Sequence, residues 1–241
     1  MSAFDEFKKD LTRAAANLIA AAPPGDHAAV RYAIDRYLGH RDKTPPSKPR
    51  ELSSRESFIE QLFFGFMEIL MSFENLRNVS IYIRRFPYHR AGVEKTAYLR
   101  YHIENYLNEL YILKNRMNAL LTVISRRYRK DKRRDQIRDA SKKIQDHFAR
   151  ALINVVQTRG AHVHEQRFDD YDISRLTLFK IMSSESDVYA MEYEKVYRQV
   201  RHAKRLWIEA SNKAIEQLFD SYFGTLKTLL FDDKGNLKVP N

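Results

Sequence analysis

Residues that interrupt helices are distributed very unevenly along this 241-residue chain. Between residues 93 and 223 the only Gly or Pro is Gly160, whereas five of the seven Pro residues lie between residues 23 and 49. Because Gly and Pro weaken or end helices, long helices are expected wherever both are missing. The pattern predicts an all-α protein with an N-terminal helix over about 2–21, an irregular Pro-rich linker up to 52 containing a short helix near 27–38, and a bundle of long antiparallel helices over 53–241.

Apolar residues recur at helical spacing in three later segments, and each recurrence predicts one buried stripe. Ser53 followed by Glu56 predicts a capping box at the start of the bundle. The three predicted stripes are Leu99, Ile103, Tyr106, Leu110, Leu113, Met117, Leu120 and Ile124; then Ile137, Ile144, Phe148, Ala151 and Val155, interrupted by Ser141; and finally Val196, Val200, Ala203, Trp207, Ala210 and Ala214, in a helix that continues to about Leu230.

The segment from Phe58 to Phe73 differs from these stripes, because its apolar residues occupy nearly every helical face. Such a helix is expected to be the most buried one, or to be covered by a partner. Three amphipathic helices together with this segment therefore predict a four-helix core.

Composition excludes several classes of protein. The chain contains no Cys, so disulfides, thiolate metal ligands and thiol nucleophiles are excluded. Charges in the first ten residues and within every apolar run argue against a secretory leader and a membrane span, and we expect a cytoplasmic protein that does not enter a membrane. The formal charge of +11 favours anionic partners.

Positive charge is concentrated between residues 126 and 138, where eight basic residues accompany two acidic ones. This block predicts either a phosphate-binding surface or a solvated connection between two helices. Its candidate phosphate contacts are Arg126, Arg127, Arg129 and Lys130.

A second concentration of polar chemistry lies at 158–167, where Gly160 interrupts the helical pattern. Arg159, His162, His164 and Arg167 are gathered at this break, and a break allows side chains to converge on a ligand. An arginine can hold phosphate oxygens in a forked geometry, while a histidine can accept or donate a proton near neutral pH. The spacing of Arg159 and His164, with four residues between them, is typical of one known motif.

This motif, the long helix containing YHIENYLNELY at 101–111, the basic helix after it and the last long helix together resemble the HEPN superfamily over about 55–230. Many HEPN proteins are metal-independent ribonucleases that act as toxins or defence effectors and dimerise around a composite site. His162 and Arg167, at the same break, are candidate phosphate contacts for the substrate. The resemblance implies that Arg159 and His164 are the catalytic pair, without metal or cofactor. It also implies RNA as the substrate, a homodimer, and an antitoxin or nucleotidyltransferase as a partner class.

Several alternatives stay open at the level of sequence. Arg84 and His89 have the same spacing as the proposed pair, and the His162 and His164 imidazoles with Glu165 could bind a metal. The tyrosines at 98, 101, 106 and 111 could stack on nucleobases or pack in the core. The main functional alternative is a non-catalytic helical module that dimerises and binds RNA, a nucleotide or a partner protein.

Overall fold

A computed structural model describes residues 2–21, 51–85, 92–151 and 170–240, and these ranges contain six α-helices. The predicted all-α bundle is confirmed. The helices are α1 (Ala3–Ala20), α2 (Ser54–Arg84), α3 (Lys95–Arg127), α4 (Arg134–Ala151), α5 (Tyr171–Met182) and α6 (Asp187–Leu230). The expected short helix near 27–38 lies outside the described residues.

Polar side chains cap the helices where the sequence places them. The predicted capping box is confirmed at α2, because the Ser53 side chain accepts from the Glu56 amide at 3.3 Å and the Glu56 carboxylate accepts from the Ser53 amide at 2.8 Å. Ser2 and Asp5 form the same arrangement at the start of α1. These reciprocal bonds satisfy amide groups that have no partner within a helix.

Contacts along the bundle show that α1, α3 and α6 run in one direction and that α2, α4 and α5 run in the other. Near the beginnings of α3 and α6, the Thr96 and Tyr193 hydroxyls form a hydrogen bond with 3.0 Å between their oxygens. Further along the same two helices, the Tyr222 hydroxyl donates to the Met117 carbonyl at 2.9 Å. The helix α2 packs antiparallel to α3, so that the two form a hairpin.

The predicted stripe on α3 is confirmed, since all eight of its apolar residues are buried. A polar contact crosses this core where the Tyr106 hydroxyl donates to the Asn212 side chain at 2.9 Å. On α4, Ile137, Ser141 and Phe148 are buried, Ile144 is half-buried and Ala151 is exposed. The helix α1 also belongs to the core, because Phe7 and Leu11 are fully buried between α2 and α6.

The predicted stripe on α6 is correct at Val196 and Val200, which are buried, and wrong beyond them. Trp207 is 41% exposed, and the three alanines of the stripe, Ala203, Ala210 and Ala214, are exposed. The buried face continues instead through Ile208, Ile215, Phe219, Tyr222, Phe223 and Leu226. This 44-residue helix packs on α5 along its first half and on α1 and α2 along its second half, so its buried side rotates with the change of neighbour.

The helix α2 contains ten buried residues, yet its Phe58–Phe73 segment is not buried on every side. Phe64 is 60% exposed and Met71 is also exposed. None of the described helices combines the length and the apolar character that a membrane crossing requires.

Candidate nucleic-acid interface

The connection between α3 and α4 is a structured turn. Tyr128 ends α3 with its ring fully buried, edge-on to the Phe58 ring at 5.8 Å between centroids. Its hydroxyl donates to the Lys238 carbonyl near the C-terminus. Burial raises the pKa of Tyr128 to about 12, so this hydroxyl stays neutral and keeps its proton for that hydrogen bond.

Arg133 fixes the second half of the turn. Its side chain donates to the Asp131 carboxylate at 3.0 Å and to the Lys238 carbonyl at 3.0 Å, and its guanidinium lies 4.8 Å from the centroid of the Tyr128 ring. The Asp131 carboxylate also accepts from the Arg133 amide at 2.8 Å. The hydrogen bonds from Arg133 lower the pKa of Asp131 and raise that of Arg133 itself, so both groups stay charged.

Arg127 has a comparable structural role. Its side chain donates to the Ser54 hydroxyl at the start of α2, and its guanidinium lies 5.7 Å from the centroid of the Phe58 ring. Of the four candidate phosphate contacts in the basic block, Arg127 is therefore engaged within the fold. The other three, Arg126, Arg129 and Lys130, are exposed.

Five cations of the turn are exposed, and none of them forms an ion pair within the described ranges: Arg126, Arg129, Lys130, Lys132 and Arg134. Arg138, by contrast, pairs with Asp135 at 3.2 Å and with Asp139 at 3.4 Å. The turn thus holds its free cations toward solvent, where they can contact a phosphate backbone.

Positive charge continues along α4 beyond the predicted block. Lys142, Lys143 and Arg150 are exposed and have no ion pair in the part of the chain that the structure describes. Between residues 126 and 151 the chain carries eleven basic and four acidic residues, a net +7 out of its total of +11. We call the eight free cations the basic track: Arg126, Arg129, Lys130, Lys132, Arg134, Lys142, Lys143 and Arg150.

The position of the three α4 cations relative to the apolar stripe could have revealed them in the sequence. They lie on the polar side of α4, opposite the stripe that contains Ile137 and Phe148. The charge count over 126–138 leaves these three residues out, because they follow residue 138. Treating the exposed side of the whole predicted helix as one polar face would have included them.

The four residues expected at the break, Arg159, His162, His164 and Arg167, lie outside the described residues, as do His89 and Glu165. The ends of their segment are described. Ala151 lines a groove with Ser211 and Ala214 of α6. At the other end, Lys204 of α6 contacts the Asp170 carboxylate at 2.7 Å.

The two described residues that flank 152–169 therefore lie beside the same helix, α6. Lys204, which contacts Asp170, and Ser211, which lines the groove with Ala151, are about 10 Å apart along α6 at 1.5 Å per residue. Burial opposes the charge of Lys204, but its hydrogen bonds to Asp170 and Asp172 outweigh this effect and raise its pKa. Lys204 thus remains a cation that holds the start of α5.

The basic track extends along α4 as far as Arg150, next to the last described residue before the segment. The α3–α4 turn and Ala151 are at opposite ends of α4, about 26 Å apart. The track therefore runs from the turn to the residue at which the Arg159–His164 segment begins.

The tyrosines considered for base stacking occupy different environments. Tyr106 is a core residue, Tyr98 and Tyr111 are half-buried, and Tyr101 is 63% exposed. Tyr98 and Tyr101 contact the His102 ring, whose pKa is lowered by burial, so that this imidazole is neutral. No group of three His, Asp or Glu side chains suited to a metal occurs among the residues described here.

Comparison with known proteins found no matching family model, no matching curated protein and no matching solved structure.

Proposed function

We propose that this chain is a metal-independent endoribonuclease of the HEPN type, with Arg159 and His164 as its reactive pair. The observation that carries the proposal is that +7 of the net charge of +11 lies between residues 126 and 151, on the α3–α4 turn and on the helix that precedes the segment containing this pair. Exposed cations that precede an Arg-and-His segment along the chain support RNA as the substrate.

The reaction requires only groups that the chain supplies. In RNA the 2′-hydroxyl is the nucleophile: its oxygen attacks phosphorus while a base removes its proton. The P–O5′ bond breaks, and an acid protonates the leaving 5′-oxygen. Arg159 stabilises the extra negative charge on phosphorus, His164 is the acid or the base, and the second copy of the chain in a dimer supplies the other of the two. The products carry a 2′,3′-cyclic phosphate and a 5′-hydroxyl.

The basic track has a separate part in this mechanism. Its far end lies about 26 Å from Ala151, which is too far for all eight cations to contact the scissile phosphate. They bind phosphates several nucleotides away from the cut. Such contacts position the strand without reading its sequence, so we expect little base preference from the track.

A second function, RNA binding without cleavage, is supported by the same track. Eight exposed cations without ion pairs can bind a phosphate backbone whether or not a reactive pair is present. The two functions make different predictions for the chemistry of Arg159 and His164, and one experiment separates them.

The experiment incubates the purified chain with mixed-sequence RNA in EDTA and identifies the end groups of the products. We expect cyclic phosphate ends from wild type and no cleavage by Arg159→Ala or His164→Ala. RNA methylated at the 2′-oxygen should not be cut, because it lacks the nucleophile. The chain offers a matched control in Arg84→Ala and His89→Ala, which alter a pair with identical spacing and should cleave as wild type does.

Three results would contradict the ribonuclease. Cleavage that needs a divalent metal, cleavage that persists without His164, or equal loss in the Arg84 and His89 variants would each exclude the mechanism. RNA binding without cleavage on any substrate would establish the binding module instead.

A further inference from the structure

A groove lies between α4 and the second half of α6, and we call it the α4–α6 groove. Its volume is about 530 Å³, which is within the range of sites that bind small organic groups. The helix α4 packs more closely on α3 than on α6, and this difference leaves the space open. Side chains from both helices line the groove: Ala140, Lys143, Ile144 and His147 from α4, and Leu218 and Ser221 from α6.

The floor of the groove is apolar. Tyr222 uses its hydroxyl inside the core, where it donates to the Met117 carbonyl at 2.9 Å, and burial raises its pKa. Only the ring of Tyr222 therefore contributes to the floor, edge-on to the Phe148 ring with 6.3 Å between centroids. Ile144 and Leu218 are half-buried, so part of each side chain stays accessible within the groove. A flat, uncharged group can bury one face against these side chains.

The two walls carry groups that form hydrogen bonds or contact phosphate. The wall on α6 contains the side chains of Ser221 and Thr225. On α4, the exposed His147 and Lys143 line the groove, and Arg150 lies seven positions after Lys143 on the same side of the helix. Lys143 and Arg150 belong to the basic track and are about 10 Å apart along α4. An imidazole such as that of His147 can stack on a nucleobase.

Negative charge does not oppose an anion at this groove. Asp139 is the only acidic residue among the described residues that line it, and its carboxylate pairs with Arg138 at 3.4 Å. Asp146 lies three positions after Lys143 on α4 and does not line the groove. An apolar floor beside a cationic rim suits a ligand with a flat uncharged part and a phosphate, which is the chemistry of a nucleotide within a strand.

We propose that the α4–α6 groove binds an unpaired base of single-stranded RNA. The proposal rests on the proposed function, because it assumes that RNA lies along the basic track. The base lies on Ile144 and Leu218 beside the His147 ring, while Lys143 and Arg150 contact neighbouring phosphates. In duplex RNA the bases are paired and stacked inside the helix, so only a single strand can place a base in the groove. The groove thus adds a requirement for bases that phosphate contacts alone do not impose.

The first test compares two 2′-O-methyl RNA strands of equal length by fluorescence anisotropy. One strand carries ordinary bases, and the other is abasic but keeps every phosphate. Neither strand can be cleaved, because the 2′-oxygen is blocked. Wild type should bind the strand with bases about 10-fold more tightly, which is the contribution expected from one buried base.

Groove-filling variants test where this preference arises. Ala140→Leu and Ser221→Leu fill the groove from opposite walls, and each should abolish the preference for bases. Both should keep wild-type affinity for the abasic strand and for duplex RNA, because the basic track is unchanged. Leucine is a good helix former, so neither substitution opposes its helix. Ala149→Leu is the matched control, since Ala149 is exposed on the opposite side of α4 and should leave the preference intact.

A second pair of variants removes an imidazole instead of adding volume. His147→Ala should reduce the preference for bases, because it deletes the ring that stacks beside the base. His202→Ala should have no such effect, since His202 is also exposed but lies on α6 about 24 Å along the helix from Leu218. Circular dichroism should show the same helicity in all five variants.

The outcomes separate this proposal from the proposed function. Equal binding of the two strands by wild type, or an equal effect of Ala140→Leu and Ala149→Leu, would overturn the base site and leave phosphate binding by the track intact. Loss of binding to the abasic strand in both groove-filling variants would also overturn it, because the substitutions would then act on the track. Failure of wild type to bind any RNA would remove the RNA function and the base site together.

Discussion

The free cations of the basic track set a limit on how strongly salt can weaken RNA binding. Each phosphate neutralised on a single strand contributes about 0.7 to the slope of log K against log salt concentration. If all eight track cations contact phosphates, the slope is about −5.6, and this is the steepest slope that the track can produce. Replacing two of them, as in Arg129→Ala with Lys130→Ala, should reduce the magnitude of the slope by about 1.4.

The assay is fluorescence anisotropy with a single-stranded RNA that carries 2′-O-methyl groups, so that cleavage cannot occur during the titration. Between 50 and 200 mM salt, the limiting slope predicts a rise in Kd of about 2,000-fold for wild type and about 300-fold for the double variant. At low salt the variant should also bind more weakly than wild type.

A control of equal charge distinguishes the track from net charge in general. Lys8→Ala with Lys213→Ala removes two exposed cations from α1 and α6, away from the track. This variant should keep the wild-type slope. If both double variants lower the slope equally, RNA responds to the total charge and the track is not a site. An unchanged slope in the Arg129 and Lys130 variant would refute the reasoning directly.

Other perturbations test the fold that holds these surfaces. Tyr106→Phe should lower the free energy of unfolding by about 1–3 kcal/mol in urea titrations, because the buried Asn212 oxygen loses its donor. Gly235→Ala should lower the melting temperature measured by circular dichroism, since Gly235 has a φ of 74° and a Cβ there would overlap a neighbouring guanidinium. Asp131 has a pKa lowered below 3.8 by its hydrogen bonds from Arg133, so its stabilisation is present above that pH and is lost as the pH falls through the folded-state pKa. The stability difference between wild type and Asp131→Asn, measured by urea titration at each pH, should therefore shrink as the pH is lowered past 3.8.

Sequence periodicity identified the buried side of α3 and misplaced that of α6. The helix α3 lies in the middle of the bundle, so one continuous stripe meets its neighbours from Leu99 to Ile124. The helix α6 changes neighbours along its length, and its buried side shifts between Val200 and Ile208. Alanine is compatible with either environment, so Ala203 and Ala210 gave no signal of the change.

The basic block shows what sequence could and could not predict about the candidate site. Its position on a connection between helices can be predicted from local sequence. The sequence does not show which of its cations are free, because the engaged ones have partners far away in the chain. Arg127 contacts Ser54, 73 positions away, and Arg133 contacts the Lys238 carbonyl, 105 positions away. Only the folded chain brings those acceptors to the turn and leaves Arg129 and Lys130 for a ligand.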